Sequence, residues 1–298
     1  SYFRWRQAPF AQEQMHAGLL RPDRHDDVAA DEVREVAADV TTLGDIGAPA
    51  SRVALVFDYL AQWVTETQPQ GAGFTALRRT FEWYSALRQL GLDVDVVPST
   101  ADLTPYALIL IPCLPIIDEA FVKRLSAVTV PVLMGPRTGS KTAQFQIPPA
   151  LPPGLLQAVL PLRVTRVESL REGLMEAGEG FNLRFWFEHI ETELPAEWRL
   201  HDGRGVLYRH RSLRYLAGVL DESSLRKLIS IVATEAGLSV KLLPDGLRLR
   251  RLGDMQFAFN YSAHAVSIRG VLPEQATCIV GGVELKPAGV AVWRERAG

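Results

Sequence analysis

A carboxylate and an imidazole stand three residues apart near the start of the chain, at Glu13 and His16. If this segment is helical, the spacing brings both side chains to one face. Aromatic and hydrogen-bonding side chains surround the pair: Tyr2, Phe3, Trp5 and Phe10, with Arg4, Arg6, Gln7 and Gln12. Aromatic rings can stack on the apolar faces of a sugar, and paired donors and acceptors can bind its hydroxyl groups. Spacing alone favours a local side-chain pair, but these surroundings favour a carbohydrate ligand.

A glutamate and a histidine at this spacing also occur in di-metal helical bundles. Those bundles use two Glu-x-x-His motifs and two further glutamates, whereas Glu13 and His16 form one such motif. The two cysteines, Cys113 and Cys278, lie in no Cys-x-x-Cys or Cys/His cluster, which argues against a thiolate metal site. We therefore expect no metal and no other cofactor.

Cys113 follows an apolar run and raises one alternative, a glutamine-amidotransferase-like hydrolase with a thiol nucleophile. A nucleophile at the end of a strand normally has glycines on both sides, because the turn that exposes it is sharp. The neighbours of Cys113 are Pro112 and Leu114. The sequence therefore favours a buried structural thiol.

Hydrolysis of a glycoside within this chain would require a second carboxylate near Glu13. For a retaining reaction the two carboxyl groups lie about 5.5 Å apart. Three other acids stand in aromatic surroundings, namely Asp58, Glu82 and Glu188. No pattern makes any of them converge with Glu13, so the residues alone identify no catalytic pair.

Charge and composition exclude several classes of protein. The 298 residues carry 32 basic and 34 acidic side chains, so no overall positive field recruits nucleic acid or an anionic membrane. No apolar run approaches the roughly 20 residues of a membrane helix. Two glycine-containing stretches, residues 71–76 and 135–141, resemble nucleotide-binding loops but lack the required context or spacing. We expect the second to be a connecting loop, and we expect no nucleic acid or membrane partner.

The elements that position these residues follow from hydrophobic periodicity and turn signals. In residues 1–43, the pattern predicts a loop with a helical turn, followed by an amphipathic helix from about Asp31 to Leu43. In residues 52–140, continuous apolar strands alternate with helices. This pattern predicts a flavodoxin-like α/β sheet, with a loop between its first strand and a helix that starts near Phe74.

The second half of the chain extends this domain and then changes character. Residues 141–243 contain further strand candidates and a helix capped by Asp221 or Ser223. Residues 244–298 alternate apolar and polar positions between glycine and proline turns. This alternation predicts a small antiparallel β-sandwich.

The helix from about Phe74 to Leu90 carries more apolar surface than one core contact requires. At about 100° per residue its apolar positions cover roughly 200°, whereas a surface helix needs a stripe somewhat over 100° wide. Either another domain or subunit covers the excess, or the preceding loop folds over it. The residues of this arc are Phe74, Leu77, Phe81, Trp83, Tyr84, Leu87 and Leu90.

Long stretches of the chain resemble one protein family. FRWRQAPFAQEQMHAGLL resembles the segment that closes the (β/α)8 barrel of family 42 β-galactosidases. RVALVFDYLAQWVTETQPQGAGF, YSALRQLGLDVDVVPSTADLTPYALILIPCLPIIDEA and GPRTGSK resemble their second domain, while FAFNYSAHAVSI and VELKPAGVAVW resemble their C-terminal β-domain. The resemblance covers essentially the whole chain and is greatest to thermophilic members. It implies the C-terminal portion of such an enzyme, without most of the catalytic barrel.

The resemblance implies an order of domains. Residues 1–45 would end the barrel, and residues 46–243 would form an α/β trimerisation domain of flavodoxin-like or glutamine-amidotransferase-like fold. Residues 244–298 would form the β-sandwich. The family is implied to assemble as a homotrimer and, by likeness to its members, to be cytoplasmic.

The resemblance also assigns roles to residues. The galactose-contacting glutamate and histidine of the family map onto Glu13 and His16, and the aromatic wall of the subsite maps onto Phe3. The acid/base and nucleophilic glutamates of this retaining β-galactosidase family lie on earlier barrel strands, so we expect no catalytic residue in this chain and no activity from it alone. The alternative is a stand-alone α/β assembly module without catalysis, which the broad apolar arc motivates.

Overall fold

A computed structural model describes residues 4–49, 51–71 and 73–294. The chain divides into two units: one consists of residues 50–250, and the other combines residues 1–49 with residues 251–298. Among the described residues, no helix is long and apolar enough to cross a membrane.

The helices are α1 (Val28–Leu43), α2 (Tyr59–Thr67), α3 (Ala76–Gln89), α4 (Glu119–Ala127) and α5 (Glu222–Glu235), with 3₁₀ turns at Gln12–Met15 and Gly154–Ala158. The strands are β1 (Val53–Val56), β2 (Asp95–Val97), β3 (Leu108–Ile111), β4 (Val132–Met134), β5 (Arg163–Ser169), β6 (Met175–Gly178), β7 (Phe181–Glu191), β8 (Ala196–Arg199), β9 (Gly205–His210), β10 (Leu213–Leu216), β11 (Gly218–Leu220), β12 (Leu247–Leu252), β13 (Met255–Asn260), β14 (Val266–Ser267), β15 (Glu284–Leu285) and β16 (Val290–Arg294).

The unit formed by residues 50–250 is built on a mixed sheet of order β2-β1-β3-β4-β10-β9-β8. The strands from β2 to β10 in this order run parallel, and β9 and β8 are added antiparallel. Every residue of β1 and β3 is buried, as their continuous apolar runs predict for strands covered on both faces. A second sheet has the order β11-β7-β5, and β6 also pairs with β7. The predicted α/β architecture is confirmed.

Side-chain caps fix where several helices begin. Thr75 Oγ1 accepts from the Arg78 nitrogen at 3.2 Å and starts α3. At α5, Asp221 accepts from the Ser224 nitrogen at 2.8 Å, so Asp221 is the cap among the two predicted candidates. These side chains satisfy backbone donors that the first helical turn leaves unpaired.

The expectation of a loop throughout the segment between β1 and α3 is wrong, because Tyr59–Thr67 form α2. Aromatic and β-branched residues make this segment a weak helix former. The helix is instead held by tertiary contacts: Ala61, Val64 and Thr65 are buried, and Thr65 Oγ1 accepts from the Ala76 nitrogen at 3.1 Å. Local sequence signals do not reveal such contacts.

The apolar arc of α3 divides into two halves. Phe74, Trp83, Leu87 and Leu90 are buried in the core. The other half is exposed: Leu77 by 54%, Phe81 by 64% and Tyr84 by 38%. The described part of the preceding segment does not cover these three side chains. The structure therefore does not support the alternative in which that loop folds over the helix.

The unit that combines both ends of the chain contains α1 and antiparallel β-structure. A sheet of order β12-β13-β16 and the pair β14-β15 are present. Its core is built on Met255, Phe257, Val280 and Val292, and the end of α1 contributes Leu43. Antiparallel β-structure is therefore confirmed for the C-terminal section.

Candidate functional site

The candidate sugar-binding segment folds back on itself near the start of the chain. The Leu20 nitrogen donates to the Trp5 carbonyl, and the Gln7 nitrogen donates to the Leu20 carbonyl, both at 2.9 Å. These bonds hold residues 5–7 beside Leu20 and leave the 3₁₀ turn Gln12–Met15 in the loop between them.

Gly18 makes this closure possible. A Cβ atom at this position would lie 2.7 Å from the Gln7 nitrogen and 2.8 Å from the Arg6 carbonyl carbon. Both neighbours are backbone atoms, so a larger residue would force two backbone segments apart. The glycine is therefore a steric requirement of the fold that carries Glu13 and His16.

Glu13 and His16 are both exposed on this turn. Glu13 lies within it, and the His16 nitrogen donates to the Glu13 carbonyl at 3.2 Å as the turn ends. The Glu13 carboxylate pairs with Arg4 and still remains 53% exposed. The structure thus brings Glu13 and His16 onto one solvent-facing 3₁₀ turn, rather than onto one face of an α-helix. Phe3, the third predicted residue, lies outside the described residues.

The surroundings of the turn suit a sugar. Trp5, Phe10 and Met15 are all largely exposed and provide apolar surface on the same short segment. The Glu13 carboxylate accepts hydrogen bonds, and an imidazole such as His16 can both donate and accept. The turn can therefore bind hydroxyl groups, while the neighbouring apolar surface can contact C–H faces.

The other three candidate acids are engaged elsewhere, in the unit of residues 50–250. Asp58 accepts from the Ser99 nitrogen at 3.1 Å. Glu82 Oε1 accepts from Arg79 at 2.9 Å and from Arg184 at 3.1 Å. Both carboxylates therefore act as structural acceptors in their own unit.

Glu188 is fully buried in the same unit. Its carboxylate accepts from the Tyr215 hydroxyl at 2.7 Å, from the Arg137 nitrogen at 3.0 Å and from Trp186 Nε1 at 3.1 Å. Burial raises the pKa of Glu188 despite these three donors, because the charged form loses its hydration. A buried carboxyl group that accepts three hydrogen bonds from the protein stabilises the core and is not accessible to a substrate.

Cys113 is buried at the end of β3, and burial raises the pKa of its thiol to about 12. A nucleophile must be available as the thiolate, so this environment suppresses the chemistry of an amidotransferase. The prediction of a buried structural thiol is confirmed.

The loop formed by residues 135–141 connects β4 to the following segment and is largely buried. A Cβ atom on Gly135 would lie 2.1 Å from the Pro112 carbonyl oxygen, and one on Gly139 would lie 2.2 Å from that of Pro153. The glycines therefore serve close packing of backbone on backbone. This fits the prediction of a connecting loop.

A metal site needs several convergent ligands. Across residues 4–49, 51–71 and 73–294, no group of three or more His, Cys, Asp or Glu residues could hold a metal ion.

Comparison with known proteins assigns the chain to a class. A family model described as a β-galactosidase trimerisation domain matches residues 51–239. A β-galactosidase C-terminal domain matches residues 246–295, and the β-galactosidase model itself matches residues 1–43. Three models of one enzyme family thus match in succession along the chain.

Individual relatives agree with these matches. The β-galactosidase of Thermus thermophilus is 50% identical over 99% of this chain, which spans 46% of that protein. The β-galactosidase Bga of Halorubrum lacusprofundi is 30% identical over 92% of this chain, which spans 43% of that protein. The crystal structure of β-galactosidase from the psychrophilic Marinomonas ef1 superimposes with a TM-score of 0.94 at 41% identity, covering 99% of this chain and 47% of its own. The chain spans about half the length of the relatives it matches.

Fold and sequence together define the class as glycoside hydrolases with an α/β trimerisation domain and a β-sheet C-terminal domain. Within that class, the chain belongs to the family 42 β-galactosidases. The family resemblance predicted from the sequence is confirmed.

Proposed function

We propose that this chain supplies a galactose-binding turn and the assembly domain of a retaining β-galactosidase. Glu13 and His16 bind galactose hydroxyl groups, and Phe3 forms an apolar wall of the same subsite. The observation that carries this proposal is the exposed turn bearing Glu13 and His16, which lies within the stretch matched by the β-galactosidase model.

The chemistry of the turn would determine specificity. An ionised carboxylate accepts hydrogen bonds from two hydroxyl groups at once, and a neutral imidazole offers one donor and one acceptor. Polar groups that await sugar hydroxyls reject ligands that cannot pair with them. Glu13 and His16 therefore select for the hydroxyl pattern of the sugar rather than carry out the bond cleavage.

The catalytic acid/base and nucleophile are proposed to come from the part of the enzyme that the relatives have and this chain does not cover. Support comes from the other acids in aromatic surroundings, because Asp58, Glu82 and Glu188 all serve as structural acceptors. We therefore propose that the chain alone is inactive.

Replacement of Glu13 tests the proposed subsite. The chain is joined to the part of the Thermus thermophilus β-galactosidase that it does not cover, and Glu13→Ala is introduced. We expect kcat/KM for nitrophenyl β-galactoside to fall at least about tenfold, because the sugar loses a charge-assisted acceptor.

Glu32→Ala is the matched control, since Glu32 is an exposed acid on α1 outside the turn. It is expected to keep the parent value. An unchanged kcat/KM in Glu13→Ala would remove Glu13 from the subsite.

We propose further that copies of this chain form a homotrimer through α2 and α3. Leu77, Phe81 and Tyr84 follow the i, i+4, i+7 spacing of one helix stripe, and all three are exposed. On α2, Tyr59 and Trp63 are exposed one turn apart. Exposed apolar side chains concentrated on neighbouring helices are typical of a protein interface, and both helices lie in the stretch matched by the trimerisation domain.

The domain limits and the cellular location remain proposals. We propose that residues 1–45 end the barrel, residues 46–243 form the trimerisation domain and residues 244–298 form a β-sandwich. The matched stretches 1–43, 51–239 and 246–295 are compatible with these limits. We also propose a cytoplasmic enzyme that binds neither nucleic acid nor membrane.

A further inference from the structure

Two side chains that precede the turn in the chain, those of Arg4 and Gln7, reach the turn that bears Glu13. Arg4 Nη2 pairs with the Glu13 carboxylate, and Arg4 Nη1 donates to the Glu13 carbonyl at 3.5 Å. Gln7 Nε2 donates to the Gln14 carbonyl at 2.6 Å. Arg4 and Gln7 therefore hold both the carboxylate and the backbone of the turn.

The residues of the turn Gln12–Met15 contribute little to its own stability. Ala11 precedes it with φ of +56° and provides no side-chain cap, and none of the turn residues is buried. Its own backbone bonds are long, at 3.3 Å from the Gln14 nitrogen to the Ala11 carbonyl and 3.2 Å from the His16 nitrogen to Glu13. A single uncapped 3₁₀ turn without a buried face is weakly stable, so its orientation depends on the contacts from Arg4 and Gln7.

Arg4 is itself held in an unusual conformation. Its φ is +84°, in a region that residues other than glycine rarely adopt. Such conformations persist where the surrounding structure enforces them, and they concentrate at functional sites. The Arg4 side chain is 20% exposed, against 53% for Glu13. Arg4 is thus withdrawn from solvent, while the carboxylate it holds faces outward.

We propose that Arg4 is a positioning residue for the sugar-binding carboxylate. Its guanidinium occupies one side of the Glu13 carboxylate, which leaves the remaining acceptor positions for sugar hydroxyl groups. This inference rests on the proposed function of Glu13 as a galactose ligand. It adds a specificity role for Arg4 that acts through Glu13.

An ordinary surface ion pair is the competing explanation. Exposed pairs of this kind contribute little to stability, and loss of one would leave substrate binding unchanged. A positioning role predicts instead that the effect of Arg4 depends on the presence of Glu13. Coupling between two residues is measured by a double-mutant cycle.

The cycle is carried out in the enzyme completed with the uncovered part of the Thermus thermophilus relative. Arg4→Gln, Glu13→Gln and the double variant are compared for KM and kcat with nitrophenyl β-galactoside and for inhibition by galactose. We expect Arg4→Gln to raise KM and the galactose inhibition constant about five- to tenfold with a smaller change in kcat. The double variant should bind galactose no more weakly than Glu13→Gln alone. Arg4→Lys should recover part of the affinity lost in Arg4→Gln, because lysine restores the positive charge but not the two N–H groups of the guanidinium that contact the carboxylate and the carbonyl of Glu13.

Arg21→Gln is the matched control, because Arg21 pairs with Asp23 at 3.0 Å in the same segment and does not contact the turn. It should have the KM, kcat and galactose inhibition constant of the parent.

If Glu13→Gln weakens galactose binding but Arg4→Gln does not, or if their effects simply multiply, the positioning role is wrong and the proposed subsite stands. If Glu13→Gln has no effect, the proposed subsite is wrong and the inference falls with it. Should Arg4→Gln fail to fold, Arg4→Lys alone decides: a KM equal to that of the parent contradicts the positioning role.

Discussion

At the scale of single residues, the carboxylate proposed to bind the sugar and the carboxylates that support the fold stand in different environments. Glu13 faces solvent on a turn and is held from one side by Arg4. Glu188 is enclosed by three donors in the core and has a raised pKa. The first can exchange its hydration for sugar hydroxyl groups, whereas the second has already exchanged it for protein donors.

The raised pKa of Glu188 predicts a pH dependence of stability. Because the folded protein holds this proton more tightly than the unfolded chain, its contribution is full below the ordinary glutamate value of 4.5 and is lost as pH rises through the folded pKa. Glu188→Gln removes this titration. We expect the melting temperature of the parent to fall relative to that of Glu188→Gln as the pH rises above the ordinary glutamate value of 4.5.

Glu193→Gln, an exposed change in the loop after β7, is the control and should follow the parent. Melting curves recorded by circular dichroism at each pH give the comparison. Parallel pH profiles for the parent and Glu188→Gln would contradict the assignment of this titration to Glu188.

Sequence patterns were informative for residue types but not for the contacts between them. Glu13 and His16 stand out by their types, their spacing and their aromatic neighbours. The role of Arg4 has no such signal, because it depends on the closure of residues 5–7 on Leu20 and on the space that Gly18 leaves. Contacts of this kind arise only once the loop is folded.

At the scale of elements, continuous apolar runs and capping residues were reliable guides. The buried strands β1 and β3 and the Asp221 cap of α5 follow directly from them. Helix α2 does not, since its residues are weak helix formers and its stability comes from burial of Ala61 and Val64. Of the arc predicted for α3, Phe74 and Leu90 lie just outside the helix, and the sequence could not tell which of its apolar residues are buried and which are exposed.

The exposed stripe of α3 predicts an effect on assembly. Phe81→Asp places a charge in the proposed interface, where it would have to lose its hydration on association. We expect sedimentation of the chain at micromolar concentration to show a trimer, and the variant to sediment with about one third of that mass. Analytical ultracentrifugation measures the masses of the parent chain and the variant.

Ile231→Asp is the matched control, because Ile231 is an exposed apolar residue on a different helix, α5. It should leave the trimer intact. A parent chain that is strictly monomeric, or a Phe81→Asp variant that still forms the trimer, would place the interface elsewhere or exclude assembly through this chain.

At the scale of the whole molecule, the chain combines a proposed ligand-binding segment with a proposed assembly domain. The resemblance over nearly the entire length predicted the family, and three successive family matches confirm it. Residue patterns alone could not do so, because Asp58, Glu82 and Glu188, the other acids they pointed to, serve as structural acceptors in their own unit.

The most direct test compares hydrolysis of nitrophenyl β-galactoside by the chain alone and by the chain joined to the part of the Thermus thermophilus β-galactosidase that it does not cover. We predict that the joined protein hydrolyses the substrate and that the chain alone does not. Hydrolysis by the chain alone, or a folded and trimeric joined protein without activity, would contradict it.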